Sequence, residues 1–128
     1  MLGLVVVLLL GFQLKHFVAD YLYQTPIMLA GKGSLRHPGG YLHAGLHALL
    51  SLPVLLLAGL PLPAVAGLAL AEFVVHYALD FSKAHYGAKV HMNQDPRGFW
   101  ALHGLDQFAH QLTYLVMIAV ALWLKGFV

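Results

Sequence analysis

Cysteine is absent from the 128-residue chain and charge is scarce, with seven Lys+Arg and five Asp+Glu making up 9% of residues. The first absence excludes disulfides, thiolate chemistry and cysteine-ligated zinc, and it leaves the redox compartment unspecified. The second stands against the ~25% charge of an average soluble domain. With 60% hydrophobic residues and a mean hydropathy of +0.76, it excludes disorder and argues against a water-soluble globule. The basic residues are scattered singly, with no run able to track a phosphate backbone, so nucleic acid is excluded as a partner despite a pI near 9.0. The apolar run that begins Met1-Leu2-Gly3-Leu4 has no basic stretch before it and no small-residue cleavage motif before Lys15. It reads as a retained membrane helix.

Four apolar segments are present, each close to the ~20 residues that a bilayer span requires: Leu2–Gln24, Tyr41–Ala58, Ala64–Tyr86 and Phe99–Lys125. Thr25–Gly40, rich in Gly and Pro, reads as a loop, and Gly59-Leu60-Pro61-Leu62-Pro63 as a tight turn. Asp95-Pro96 reads as an N-cap followed by proline at the first helical position, and Pro53 is expected to kink the second span. The sequence therefore predicts an all-α fold, a polytopic membrane protein built as one antiparallel four-transmembrane-helix bundle over residues 1–128. The lipid bilayer is then its first partner. Lys32 and Arg36 in the first loop, with Lys83, Lys89 and Arg97 around the third, are expected to put those loops on the cytoplasmic side and both termini outside, with Lys125 dissenting. Oligomeric state is left open.

Against so little charge stand nine histidines. Six lie in the expected spans beside four of the five acids, and intramembrane ionisable groups are expensive enough to mark function. His16 and Asp20, His43 and His47, and Glu72, His76 and Asp80 follow four-residue steps. His103, Asp106, Gln107 and His110 follow three- and four-residue steps. Each set therefore shares one helical face. In an up-down bundle the sets also meet in depth: at ~1.5 Å rise per residue, Asp20, His43, Asp80 and His103 lie ~5–6 Å below the surface, and His16, His47, His76 and Asp106 ~10–12 Å.

Imidazole and carboxylate converging from four helices are ligands for one or two divalent ions, zinc first, with iron and manganese as alternatives. The metal candidates are His16, Asp20, His43, His47, His76, Asp80, His103, Asp106 and His110, and the candidate catalytic bases are Glu72 and Asp106. His37, His85 and His91 read as loop or interfacial residues. Lys15 has two readings, snorkelling to the surface or pairing with a buried acid. The basic loop residues serve to set topology, or to attract anionic lipid headgroups.

The segments His16-Phe17-Val18-Ala19-Asp20 with Gln24 and Lys32, His76-Tyr77-Ala78-Leu79-Asp80-Phe81-Ser82-Lys83, and Asp106-Gln107-Phe108-Ala109-His110 together resemble a bacterial family of small membrane proteins, the domain of unknown function numbered 3307. That resemblance spans Lys15 to about Leu115 and implies the four-helix membrane fold, with no activity attached. A looser resemblance, by pattern, is to inner-membrane metal-dependent hydrolases. It implies ligands at His16, Asp20, His43, His47, His76, Asp80, Asp106 and His110. The chain departs from membrane desaturases in lacking an adjacent His-His pair, and from soluble di-iron bundles in lacking Glu-x-x-His steps. The expectation is a membrane-embedded hydrolase acting on a lipid-like ester or phosphoester. The alternative is a metal- or proton-binding or transport protein without hydrolysis.

Overall fold

The computed structural model describes all of residues 1–128 and contains helices with no strand. Helix α1 spans Leu2–Phe17 and runs on as a π-helical turn, Val18–Leu22; α2 is a short helix, Pro26–Gly31. Helices α3 (Pro38–Leu57), α4 (Leu62–Lys89) and α5 (Pro96–Leu124) follow, with a single 3₁₀ turn at Met92–Gln94 before α5. α1 with its π turn, α3, α4 and α5 are each long and apolar enough to cross a membrane, as the all-α reading requires.

Proline sets most of the starts. Its fixed φ suits the first helical turn, where its missing N–H would have had no partner. Pro26, Pro38 and Pro96 open α2, α3 and α5. The Thr25 hydroxyl accepts from the Met28 amide at 3.3 Å, and His37 Nδ1 accepts from the Gly39 amide at 3.0 Å. Asp95 stands at the N-cap of α5 but makes no side-chain cap bond. Pro53 lies within α3.

The first loop differs from its sequence reading, because its glycines serve packing. Gly31 and Gly39 let α2 lie backbone against backbone on α3: a Cβ on Gly39 would collide with the Ile27 carbonyl, and one on Gly31 with the Gly39 and Gly40 main chain. α3 consequently begins at Pro38 and takes in the Gly39-Gly40 pair.

The long helices form a ring in which α1 and α4 each pack on α3 and α5 and face one another across the diagonal. At one end the first half of α1, the end of α3, the start of α4 and the end of α5 enclose an apolar core including Leu8, Phe12, Leu55, Val65, Met117 and Ile118. Outward-facing side chains such as Leu10, Leu14, Leu49, Leu70, Leu105 and Val116 are apolar and exposed. Such a surface suits lipid, and the backbone polar groups are satisfied within the helices as a bilayer requires.

Candidate metal centre

All ten buried polar or charged side chains occupy the other half of the bundle: Lys15, His16, His43, His47, Ser51, Glu72, His76, Asp80, Asp106 and His110. The four-residue steps bring each pair together within its own helix. His16 Nε2 lies 3.2 Å from Asp20, His76 Nε2 3.5 Å from Asp80, and His110 Nε2 3.4 Å from Asp106.

Asp20 sits within the π turn of α1. Such a turn widens the helix and re-aims the side chains that follow, a feature frequent at functional sites. From there Asp20 Oδ1 reaches across to α3, 3.1 Å from His43 Nε2 and 2.9 Å from His47 Nε2. Asp80 plays the matching part from α4. Its Oδ2 lies 3.4 Å from His43 Nε2, and its Oδ1 lies 3.3 Å from His110 Nε2 on α5.

Two donor groups result, Asp20–His43–His47–His76 and His76–Asp80–His110, with the ligand atoms of each within 4.8 Å of one another. Donors ~2.05 Å from a tetrahedral ion sit ~3.3 Å apart along each edge. The carboxylate–imidazole separations of 2.9–3.5 Å within the groups are close to that edge, and the remaining donor pairs lie within 4.8 Å. His43 Nδ1 is buried without a polar partner, and His43 Nε2, His76 Nε2 and Asp106 Oδ1 have ionisable neighbours at 3.1–3.5 Å but no hydrogen bond of good geometry. Buried polar atoms are seldom left so, and in the donor groups the imidazole nitrogens without such a bond belong to His43 and His76. These buried His/Asp groups can hold a metal ion, and a mixed N/O donor set fits zinc, iron or manganese.

The remaining site residues surround these groups. His16 Nδ1 lies 2.9 Å from the Tyr114 hydroxyl and its Nε2 lies 2.8 Å from Gln107 Oε1, which fixes the ring beside Asp20. Lys83 donates to Asp106 Oδ2 at 2.9 Å and approaches His103 Nδ1 at 3.0 Å, so His103 stands outside both donor groups. Lys32, just beyond α2, pairs with Asp80 Oδ2 at 2.9 Å. The backbone packing of α2 on α3 therefore positions one of the cations at the centre.

Glu72 lies one turn deeper on α4 and does not reach the donor groups, since Lys15 and Ser51 both donate to its carboxylate. Lys15 is 4% exposed, which decides its role: it pairs with a buried acid and does not snorkel. Its ammonium also stands 3.3 Å from His47 Nδ1 and 4.4 Å above the Tyr114 ring.

Sequence reasoning missed Ser51, Tyr114 and the ion-pairing roles of Lys32 and Lys83. The first two were within reach, because Ser51 continues the His43-His47 ladder by four residues and Tyr114 continues Asp106-His110 in the same way.

Above the centre, at the end carrying the basic loops, a cavity of 670 Å³ opens. Asp20, Asp80 and Asp106 line it together with Lys32, Lys83, His91 and His103.

Fold and site together define a helical bundle of membrane-spanning length with a buried His/Asp centre toward one end. The chain belongs to the family described as protein of unknown function DUF3307, whose model matches residues 5–127 and so covers every residue of the centre. No curated protein and no solved structure matches the chain.

Proposed function

We propose that this protein is a membrane-embedded metal-dependent hydrolase acting on an ester or phosphoester. The reading rests on one observation: Asp20 and Asp80, which belong to the two donor groups, also line a cavity open to the outside of the bundle. A purely structural polar cluster has no need of such access. The basic residues Lys32, Arg36, Lys89 and Arg97 at this end support a cytoplasmic placement of the cavity in a bacterial inner membrane, with both termini outside.

Zinc is the first choice for the centre, with three of His43, His47, His76 and Asp20 as ligands and the fourth position left to water, as a catalytic ion would need. A bound ion of this kind lowers the pKa of water toward about 7 and polarises the scissile group. Asp106 is the better of the two candidate bases, because it lines the cavity while Glu72 is held by Lys15 and Ser51. Lys83 holds its Oδ2. In this role Asp106 takes the proton of the attacking water, the ester or phosphoester bond breaks, and the leaving oxygen is protonated from solvent in the cavity. Glu72 acts as the counter-charge to Lys15. Charge also favours a cation: the carboxylates of Asp20, Glu72, Asp80 and Asp106 face the ammonium groups of Lys15, Lys32 and Lys83. One negative charge is left to balance when the imidazoles are neutral, as ligation requires.

The alternative, carriage of metal or protons across the membrane, would need polar groups through the other half as well. Leu8, Phe12, Leu55 and Ile118 close that half. Metal analysis of the purified full-length protein tests the proposal. Wild type is expected to hold zinc, iron or manganese near one ion per chain, and a His76→Ala/Asp80→Ala variant to lose it. Asp106→Asn should retain the metal while losing turnover of ester and phosphoester substrates. A folded wild type that takes up none of the three metals overturns the reading, and metal without turnover on either substrate class moves it to the binding alternative.

A further inference from the structure

Spacing makes His16 a metal candidate, but the structure leaves it buried and outside both donor groups. Its hydrogen bonds show a different use. His16 Nε2 faces two oxygens, Asp20 Oδ2 at 3.2 Å and Gln107 Oε1 at 2.8 Å. A carboxylate and an amide oxygen can only accept, and the Gln107 amide nitrogen is turned the other way, donating to Asp106 Oδ2 at 3.2 Å. In neutral His16 the ring proton therefore sits on Nε2, and Nδ1 carries a lone pair. That lone pair meets the Tyr114 hydroxyl at 2.9 Å. The hydroxyl thus gives its proton to His16, and its oxygen is left as an acceptor. The ring nitrogen that this oxygen faces is His47 Nδ1, at 3.4 Å.

His47, as one of the ligands, presents Nε2 to the ion, the nitrogen that stands 2.9 Å from Asp20 Oδ1. Nε2 then needs its lone pair, so the ring proton belongs on Nδ1 and requires an acceptor there. Two groups face Nδ1. The Lys15 ammonium, at 3.3 Å, has only protons to give, whereas the Tyr114 oxygen has a lone pair. We propose that His16 is a positioning residue: through the Tyr114 hydroxyl it holds an acceptor ready at His47 Nδ1, so that His47 binds the ion by Nε2. Lys15 has the opposite effect in the metal-free protein, favouring the tautomer whose Nε2–H donates to Asp20. Arrival of the ion moves the one ring proton of His47 from Nε2 to Nδ1, with no net release from that ring. The Lys15 protons then keep three other partners, the Glu72 carboxylate, the His47 carbonyl at 3.4 Å and the face of the Tyr114 ring. This inference rests on the metal centre of the reading above, and not on hydrolysis.

The test is a double-mutant cycle read as zinc affinity of the full-length protein in detergent micelles, by competition with a chromophoric chelator. His16→Phe keeps a ring and removes the acceptor, so the Tyr114 hydroxyl is free to turn its proton to His47 Nδ1. Zinc affinity should fall about 10-fold. Tyr114→Phe should give a similar fall, and adding His16→Phe to it should cost nothing more, because His16 acts only through the hydroxyl. His16→Gln, whose amide oxygen can accept from Tyr114, should restore most of the affinity. Nitrogen NMR of the zinc-loaded wild type with labelled histidine, assigned against His47→Gln, should show the His47 proton on Nδ1. This spectrum decides the matter even where His16→Phe fails to fold. A His47 proton on Nε2 in the loaded protein overturns the proposal, as does unchanged affinity in His16→Phe. A further 10-fold loss on adding His16→Phe to Tyr114→Phe also overturns it, since His16 would then be a ligand itself. Wild-type uptake is read in the same experiment: none of zinc, iron or manganese sinks the metal reading, whereas full uptake indifferent to His16→Phe sinks only the role of His16.

Discussion

Where α1 begins and α5 finishes, Leu8, Phe12, Leu55, Met117 and Ile118 close on one another with no buried charge among them. One half-length away, the same four helices turn five imidazoles and three aspartates toward a common centre. Tyr114 marks the border: its ring stacks on Phe12 at 5.3 Å, while its hydroxyl faces His16 and His47. The contrast separates two tasks. In lipid there is little hydrophobic gain from helix association, so close apolar packing is what fixes the helices against one another. With position secured there, the other end can carry imidazole nitrogens without hydrogen bonds and buried charges that would be destabilising on their own. Local rules broken at one place and kept everywhere else are the mark of a functional site.

The sharpest way to break this contrast lies at the deepest charged pair. Lys15→Met leaves Glu72 buried with only Ser51 for a partner, and removing one member of a buried ion pair costs about 3–5 kcal/mol. The double variant Lys15→Met/Glu72→Leu should recover most of that loss, because neither charge then remains. Unfolding in mixed detergent micelles measures both. A single variant within about 1 kcal/mol of wild type would mean that water or lipid headgroups reach this depth and that the polar end is not a low-dielectric site.

A pair of substitutions, one at each end, tests whether the two tasks are separable. Leu55 is fully buried in the apolar core. Leu55→Ala keeps its transfer term small, since the unfolded helix also lies in lipid, and the cavity left behind should cost about 1–2 kcal/mol. Metal uptake should be unchanged. His76→Ala should abolish metal uptake, while the metal-free protein loses about 1–2 kcal/mol, the cost of the cavity left by a buried ring packed on His47 and His110. Parallel titrations with zinc and unfolding curves would show the difference, and a Leu55→Ala protein that loses metal would show the ends to be one cooperative unit.

Tyr114→Phe probes the border itself. It keeps the ring on Phe12 and removes the hydroxyl that faces Nδ1 of His47, in the first donor group, as well as His16 Nδ1. A net hydrogen bond of about 1 kcal/mol is lost, and metal affinity should fall about 10-fold, as for other partners that orient ligating histidines. Stability lost without any change in zinc affinity would assign the hydroxyl to the packing end alone.

How much of this the sequence carried differs between the same two regions. The four spans were legible because membrane length and apolarity are properties of one segment at a time. The convergence of His16, Asp20, His43, His47, His76, Asp80 and His110 was legible because four-residue spacing and antiparallel connection together set both face and depth. Glu72 and His103 were placed by the same arithmetic, but which neighbour a side chain takes depends on lateral position in the ring. Lys15 takes Glu72, and Lys83 stands beside His103, and no periodicity encodes either contact. The π turn holding Asp20 has no residue signature of its own. The starts of α2 and α3 did have one: Thr25-Pro26 and His37-Pro38 put proline at the first helical position, as Asp95-Pro96 does. Three glycines close behind them read as loop because only the packed structure shows that α2 and α3 touch through their backbones.

The smallest expected effect sits on the lipid-facing side of the α1–α5 contact, where the Gln13 amide donates to Gln111 Oε1. Neither residue reaches the centre, and both occupy mid-helix positions at the level where the apolar half gives way to the polar one. Interhelical hydrogen bonds of this kind in membrane proteins average about 0.6 kcal/mol, because the separated helices find other partners for the same amides. A double-mutant cycle with Gln13→Leu and Gln111→Leu should therefore return a coupling near that value. The double variant itself should be close to wild type in stability, since two amides near lipid are exchanged for two apolar side chains. Zinc uptake should not respond to any member of the cycle. A coupling above about 2 kcal/mol, or a change in metal affinity, would extend the polar centre outward through Gln107 and His16 to this pair, and the boundary drawn at Tyr114 would have to move to the surface of the bundle.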